Sequence, residues 1–246
     1  MSDIAAETAA PRALWGLWAT LGWFILAFIL SIVAGLVVML IWRPDAITGD
    51  TDVLKDGPLI SITTIASAVV QVGTLALAAR LAGWPAGEYL GLVRPATRPA
   101  LVLIAILIVF LPSYDALTYL LGRDIVTPFQ VDTYRTARDS GTLSLLWIAI
   151  VIVAPVAEEI MFRGFLFRGW VRSERSAIPG ILIISLVFAA IHIQYDWFGI
   201  LQVFFIGLLF AIVRWRSGST LLTILLHVLA NLWATVETMI KVEGLS

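Results

Sequence analysis

Glu158 and Glu159 are adjacent carboxylates at the end of an apolar run that begins near Leu143. They sit in the stretch Ala157–Arg163, Ala-Glu-Glu-Ile-Met-Phe-Arg. A carboxylate on a membrane helix is costly and faces a partner or a watery cavity. The chain has two histidines, His192 and His227, and both fall in apolar segments expected to be helical. Three segments that each carry a titratable group into hydrocarbon point to one polar site inside a bundle. The set of groups suits hydrolysis of a peptide bond.

The spacing assigns faces. Residues four apart share a helix face, so Glu159 and Arg163 can pair. Glu158 points about 100° away from Glu159, which leaves one carboxylate held by a guanidinium and the other free to react. Phe188 lies four residues before His192 and stacks under it. His227 and Asn231 share a face and offer an imidazole and an amide to one cavity. A desolvated carboxyl holds a proton more readily, which suits a general base. Glu158 would take a proton from water and return it to the leaving amine. His227 and Asn231 would hydrogen-bond the developing oxyanion, and His192 would orient the water. A second chemistry fits the same residues, with Glu158, His192 and His227 holding a divalent metal such as zinc and one position open for water. No H-E-x-x-H helix occurs, so those ligands would come from three helices. The sequence leaves the metal-bound and metal-free alternatives open.

Structural roles are weighed beside these. Glu159 with Arg163 reads as an ion-pair station, Asn231 as a residue that fixes the ring of His227, and Phe188 as packing. Arg168, Arg172 and Arg175 read as topology determinants that meet anionic head groups. Asp115 reads either as a second polar site or, by preference, as a residue that reaches the interface near Pro112 and Ser113.

The elements that must position these groups are transmembrane. Of 246 residues 60% are hydrophobic and 13% charged, against about 25% charged in globular domains, so the solvent is lipid. Ten Trp agree with interfacial anchoring. The net charge of −1 gives no sign of nucleic-acid binding, and the absence of Cys excludes disulfides and thiol chemistry. Asp3 and Glu7 offset Arg12, and the run Leu14–Trp42 is too long for a cleaved leader, so it reads as a retained first span.

The expected fold is an all-α, polytopic transmembrane bundle of about seven to eight helices. Seven are placed, at about Leu14–Trp42, Pro58–Ala82, Ala100–Leu121, Thr142–Val171, Ala177–Gln194, Trp197–Trp215 and Thr220–Ile240. Arg43–Gly57 reads as a polar loop. Gly122–Gly141 is a charged connection long enough for an amphipathic surface piece, and Ser217-Gly218-Ser219 is a tight turn. Pro112 should kink the third helix, and Pro155 should free a carbonyl one turn earlier in the fourth. One membrane domain is expected, with residues 1–141 as N-terminal helices and loops and 142–240 as the reactive core. Basic residues favour the N-terminus inside, in the plasma membrane of a bacterium. Glu158 and His192 each lie 17 positions from a turn near Arg175, about 25 Å at 1.5 Å per residue, and so are level. His227 counts to about one helical turn away in depth.

Three short patterns then stand in order. They are Glu158-Glu159-x-x-x-Arg163, Phe188-x-x-x-His192 and His227-x-x-x-Asn231. Together they resemble the CPBP family of intramembrane proteases, also called type II CAAX prenyl endopeptidases and the Abi (bacteriocin-immunity) family. The resemblance covers about Leu143–Glu237. It implies catalytic positions at Glu158, His192, His227 and Asn231, with Glu159 and Arg163 on motif positions of structural role. It also implies a membrane-embedded endopeptidase that uses glutamate and water rather than a bound metal. The prenyl-protein relatives are expected to have eight helices, one more than the seven placed. The implied partners are membrane lipids and a membrane-associated protein or peptide substrate. Two non-enzymatic readings compete: a transporter or proton relay, since Glu–His chains mark ion pathways, and an immunity protein that sequesters a peptide. The sequence holds no internal repeat of the kind many transporters carry.

Overall fold

The computed structural model describes residues 13–44, 53 and 55–244. Asp3, Glu7 and Arg12, and most of the loop between Arg43 and Gly57, lie outside the described residues. The described chain is all helical, without strands. Its elements are α1 (Leu17–Trp42), α2 (Gly57–Leu81), the short α3 (Ala86–Tyr89), α4 (Thr97–Leu120), α5 (Pro128–Asp139), α6 (Leu143–Trp170), α7 (Glu174–Ala190), α8 (Trp197–Ser217) and α9 (Thr220–Glu243). Six of these are long and apolar enough to cross a membrane, and the protein is an integral, multi-pass membrane protein. On α1, Ile25, Ile29, Val33, Leu36 and Val37 are exposed. Such a continuous apolar surface belongs against acyl chains.

All seven expected helices are present, and local chemistry sets their ends. Asp56 caps α2 by accepting from Leu59 N–H, with Pro58 in the first turn. The amphipathic piece is α5, opened by a capping box between Thr127 and Gln130. Gly218, at φ 68°, ends α8 in the left-handed region, and Ser219 caps α9 by accepting from Leu222 N–H.

α6 is the central element. It packs against α1, α2, α7 and α9, and its half from Ile160 to Phe167 is entirely buried. Phe162, Phe165 and Met161 interlock with Phe24 of α1, Leu75 of α2 and Phe188 of α7. A second apolar cluster joins Leu107 and Leu111 of α4 to Phe210 of α8 and Leu226 of α9. α5 lies across α2, α6 and α9. It is tied to α2 by Gly57 N–H donating to Thr136 Oγ1 at 2.8 Å.

Two departures from the sequence reading matter for the site. α7 ends at Ala190, not near Gln194, so His192 lies in the turn after the helix rather than within it. With 17 residues, α7 is about 26 Å long, short of a hydrocarbon core of about 30 Å. The chain beyond it turns back inside the bundle and leaves space there. The second departure is in α6, where wide turns with i→i+5 bonding occupy Ile148–Val153 and Ile160–Leu166. Extra residues per turn reduce the rise per residue. Glu158 and His192 are level as counted, and His227, which the count puts about one turn away, reaches the same carboxylate oxygen.

Candidate active site

Three elements deliver the reactive groups. Glu158 lies between the two wide stretches of α6, His192 just past α7, and His227 in the middle of α9. The Nε2 atoms of His192 and His227 are each 3.9 Å from Glu158 Oε2. That is beyond direct hydrogen bonding and suits a bridging water. The Glu158 side chain is 27% exposed, while Glu159 is fully buried. Among the described residues, Oε2 of Glu158 has no hydrogen-bond partner.

The backbone and a buried ion pair set the imidazole tautomers. His192 Nδ1 is 2.7 Å from Phe188 O. A carbonyl only accepts, so Nδ1 carries the proton and Nε2 of the neutral ring presents its lone pair to the site. The Phe188 ring lies under this imidazole, with centroids 4.9 Å apart. His227 Nδ1 is 3.0 Å from Glu159 Oε1. The same oxygen accepts from Arg163 Nη1 at 2.8 Å. Arg163 is fully buried. It also donates to Gly207 O at 2.9 Å, and its guanidinium carbon lies 4.3 Å from the centroid of the Phe188 ring. A Cβ at position 207 would sit 3.1 Å from Phe188 and 3.4 Å from Arg163 Nη2, so glycine there lets α8 close on the pair. The Glu159–Arg163 pairing expected from spacing is therefore present, and it also orients His227.

Asn231 shares a face with His227 but does not touch its ring. Its Nδ2 donates to Ile150 O at 2.9 Å. With i→i+5 bonding the carbonyl of residue 150 would take the N–H of residue 155, and that residue is proline. The amide of α9 fills the vacancy that Pro155 creates. One N–H of Asn231 is thereby used and the other remains.

Two cavities meet at these groups. The larger, about 640 Å³, is lined by Asp115, Arg123, Asp124, Asp196 and Glu237 as well as both histidines. The smaller, about 220 Å³, is lined by Glu158, by apolar side chains of α2, α5 and α6, and by polar ones that include Gln130, Thr133, Gln194, Thr235 and Thr238. His192, Tyr195, His227 and Asn231 line both. Sequence reasoning missed Tyr195, which stacks on His192 with rings 6.2 Å apart and 10° from parallel. Its position three residues after His192 carried no helical signal, because the helix has already ended. Asp115 is a cavity residue and not merely interfacial: its Oδ2 accepts from Trp233 Nε1 at 2.8 Å at the cavity wall. The loop that holds His192 and Tyr195 is anchored by Asp196, which caps α8 and pairs with Arg123. The Gly199 N–H bond and the Arg123 guanidinium hold the Asp196 carboxyl below the usual range.

A tetrahedral zinc site with bonds of about 2.0–2.1 Å has ligand–ligand edges of about 3.3–3.4 Å. The edges from Glu158 Oε2 to both Nε2 atoms are 3.9 Å. Among the described residues no three His, Asp or Glu side chains are arranged to enclose an ion. As held, these edges are wider than those of a tetrahedral zinc site, and the 3.9 Å gap between Glu158 Oε2 and His192 Nε2 fits a bridging water.

Basic residues divide by face. Arg43, Lys55, Arg123, Arg138 and Lys241 lie at the end of the bundle that holds the larger cavity, and each pairs with Asp or Glu. Arg168, Arg172, Arg175, Arg214 and Arg216 belong to the opposite end. Arg214 is buried, where its Nε donates to Arg163 O. Arg172 donates to Trp15 O, and so ties the end of α6 to the start of α1.

Known proteins resemble part of the chain. A curated relative, an uncharacterized 24.3 kDa protein of Escherichia coli, is 34% identical over 118 residues, which is 46% of this chain and 54% of the relative. The chain thus spans about half the length of the curated relative it matches. No solved structure matches. Residues 140–233 match the family described as Type II CAAX prenyl endopeptidase Rce1-like, a range that holds all three motifs. Over that stretch the chain is similar to the Rce1-like type II CAAX prenyl endopeptidases.

Proposed function

We propose that the protein is an intramembrane endopeptidase in which Glu158 activates water without a bound metal. The observation that carries this reading is the convergence of one carboxylate and two imidazoles at 3.9 Å, on the wall of the smaller cavity inside a lipid-facing bundle. A water between Glu158 Oε2 and His192 Nε2 donates one hydrogen to each. As its oxygen attacks the peptide carbonyl, the proton passes to Glu158, which then delivers it to the leaving amine. His227 turns Nε2 toward the developing oxyanion and the remaining N–H of Asn231 lies beside it, so that the two side chains hydrogen-bond the oxygen. The buried Glu159–Arg163 pair fixes the ring that performs this step. The arginine-rich face lies inside and the larger cavity opens outward, in the plasma membrane of a bacterium. The substrate is a membrane-associated protein or peptide.

The test is a cleavage assay in liposomes with wild type, Glu158→Gln, His192→Ala and His227→Ala. Glu158→Gln keeps the size of the side chain and removes the base, so product formation should stop. Equal rates for wild type and Glu158→Gln would remove the proposed chemistry.

A further inference from the structure

The smaller cavity is the one that the Glu158 carboxylate lines. Its walls are Ile60 of α2, Phe129 of α5, and Leu146, Ile150 and Ala154 of α6. Ala154 lies one turn before Glu158 and on the same face. Thr133 of α5 also lines the cavity. Thr133 is 2% exposed, and among the described residues its Oγ1 has no hydrogen-bond partner. The other threonines on the wall are satisfied, since Thr235 donates to Asn231 O and Thr238 to Ala234 O. A buried hydroxyl without a partner costs free energy in the unliganded protein, and a ligand that supplies the partner removes that cost.

We propose that this cavity is the subsite for one aliphatic or aromatic side chain beside the scissile bond, with Thr133 Oγ1 hydrogen-bonding the main chain of the bound peptide. The proposal rests on the endopeptidase reading and names the substrate class it implies. At about 220 Å³ the cavity is smaller than the sites of about 300–1,000 Å³ that take whole drug-sized ligands. It holds a single side chain, and a long isoprenoid chain would overfill it. An extended peptide carried into a bilayer brings N–H and C=O groups that water no longer satisfies. A hydroxyl can serve either, because it both donates and accepts.

The experiment uses the full chain in detergent and a mixture of synthetic peptides that carry Gly, Ala, Leu or Phe at the central positions. Wild type should cut beside Leu and Phe. Ala154→Phe fills the cavity and should lower the ratio of cleavage at Leu and Phe to cleavage at Gly and Ala by at least about tenfold. Thr133→Val keeps the shape and removes the hydroxyl. It should raise KM about three- to tenfold with kcat unchanged, while the unfolding temperature stays level or rises. Thr133→Ser should restore KM. If Ala154→Phe does not fold, Thr133→Val decides alone. Unchanged side-chain preference in a folded Ala154→Phe, or unchanged KM in Thr133→Val, overturns the subsite and leaves the endopeptidase reading standing. Equal cleavage by wild type and Glu158→Gln overturns that reading and the subsite with it.

Discussion

Replacing Arg163 by Met tests whether the fully buried ion pair holds the site together. Arg163 and Glu159 both have no exposed side-chain area, and the carboxylate accepts from Arg163 at 2.8 Å and from His227 at 3.0 Å. Removing the guanidinium leaves a carboxylate in the core with an imidazole as its remaining ionisable partner, and the Gly207 carbonyl loses its donor. Breaking one side of a buried pair costs about 3–5 kcal/mol. In a chain of this size about 2–4 °C is lost per kcal/mol, so the thermal midpoint in detergent should fall by about 6–20 °C. Replacing both partners, as Glu159→Gln with Arg163→Met, removes the uncompensated charge. It should recover most of that loss, because buried pairs are often near neutral against uncharged replacements. In the double variant the amide carbonyl introduced by Glu159→Gln still accepts from His227 Nδ1, so cleavage should return with stability. With Glu159→Gln alone as the fourth protein, thermal unfolding of wild type, the two single variants and the double variant gives the complete cycle. A loss below about 3 °C for Arg163→Met, or a double variant as unstable as the single one, would refute the claim that the charge pair is what the core requires.

Three further outcomes are expected. Asn231→Leu removes the donor to Ile150 O and the remaining N–H, so kcat should fall about 10²–10³-fold in steady-state cleavage, with a smaller change in KM. Chelators should leave the cleavage rate within about twofold, and elemental analysis of purified protein should find less than one zinc per chain, since the acceptor edges exceed those of a tetrahedral site. Asp196 is held below the usual carboxylate range by the Gly199 N–H and by Arg123. A lowered folded value means its stabilisation is present above the unfolded pKa of about 3.9 and is lost as pH falls through the folded value. Trp197 fluorescence, next to that cap, should therefore stay constant above pH about 5 and change only in more acidic solution.

The helices, and most of the residues that the structure gathers at the candidate site, were legible because both depend on local pattern. Apolar runs of bilayer length mark α1, α2, α4, α6, α8 and α9, and i,i+4 spacing predicts the Glu159–Arg163 bond that the structure contains. What stayed hidden depends on helical pitch or on tertiary approach. The wide turns of α6 carry no composition signal, and the count puts His227 about one turn from the carboxylate that it reaches. The end of α7 at Ala190, before His192, follows from how the chain folds back into the bundle, since Ile191 and Ile193 would suit a longer helix. The bond from Asn231 to Ile150 was half legible. Pro155 announces a free acceptor, but which carbonyl is freed depends on whether the turn closes over four residues or five. Thr133 gave no sign at all, because a threonine on an amphipathic helix is expected to reach water or its own backbone.

The wall shared by the two cavities has a consequence for the position of the cut. His192, His227 and Asn231 form a partition, with a roomy polar vestibule on one side and a tight greasy recess on the other. Under the hydrolytic reading, one side chain beside the cut sits in the recess while the rest of the polypeptide occupies the vestibule. The partition then sets where along a polypeptide the cut falls, because a residue too large for the recess cannot bring its neighbouring bond to the imidazoles.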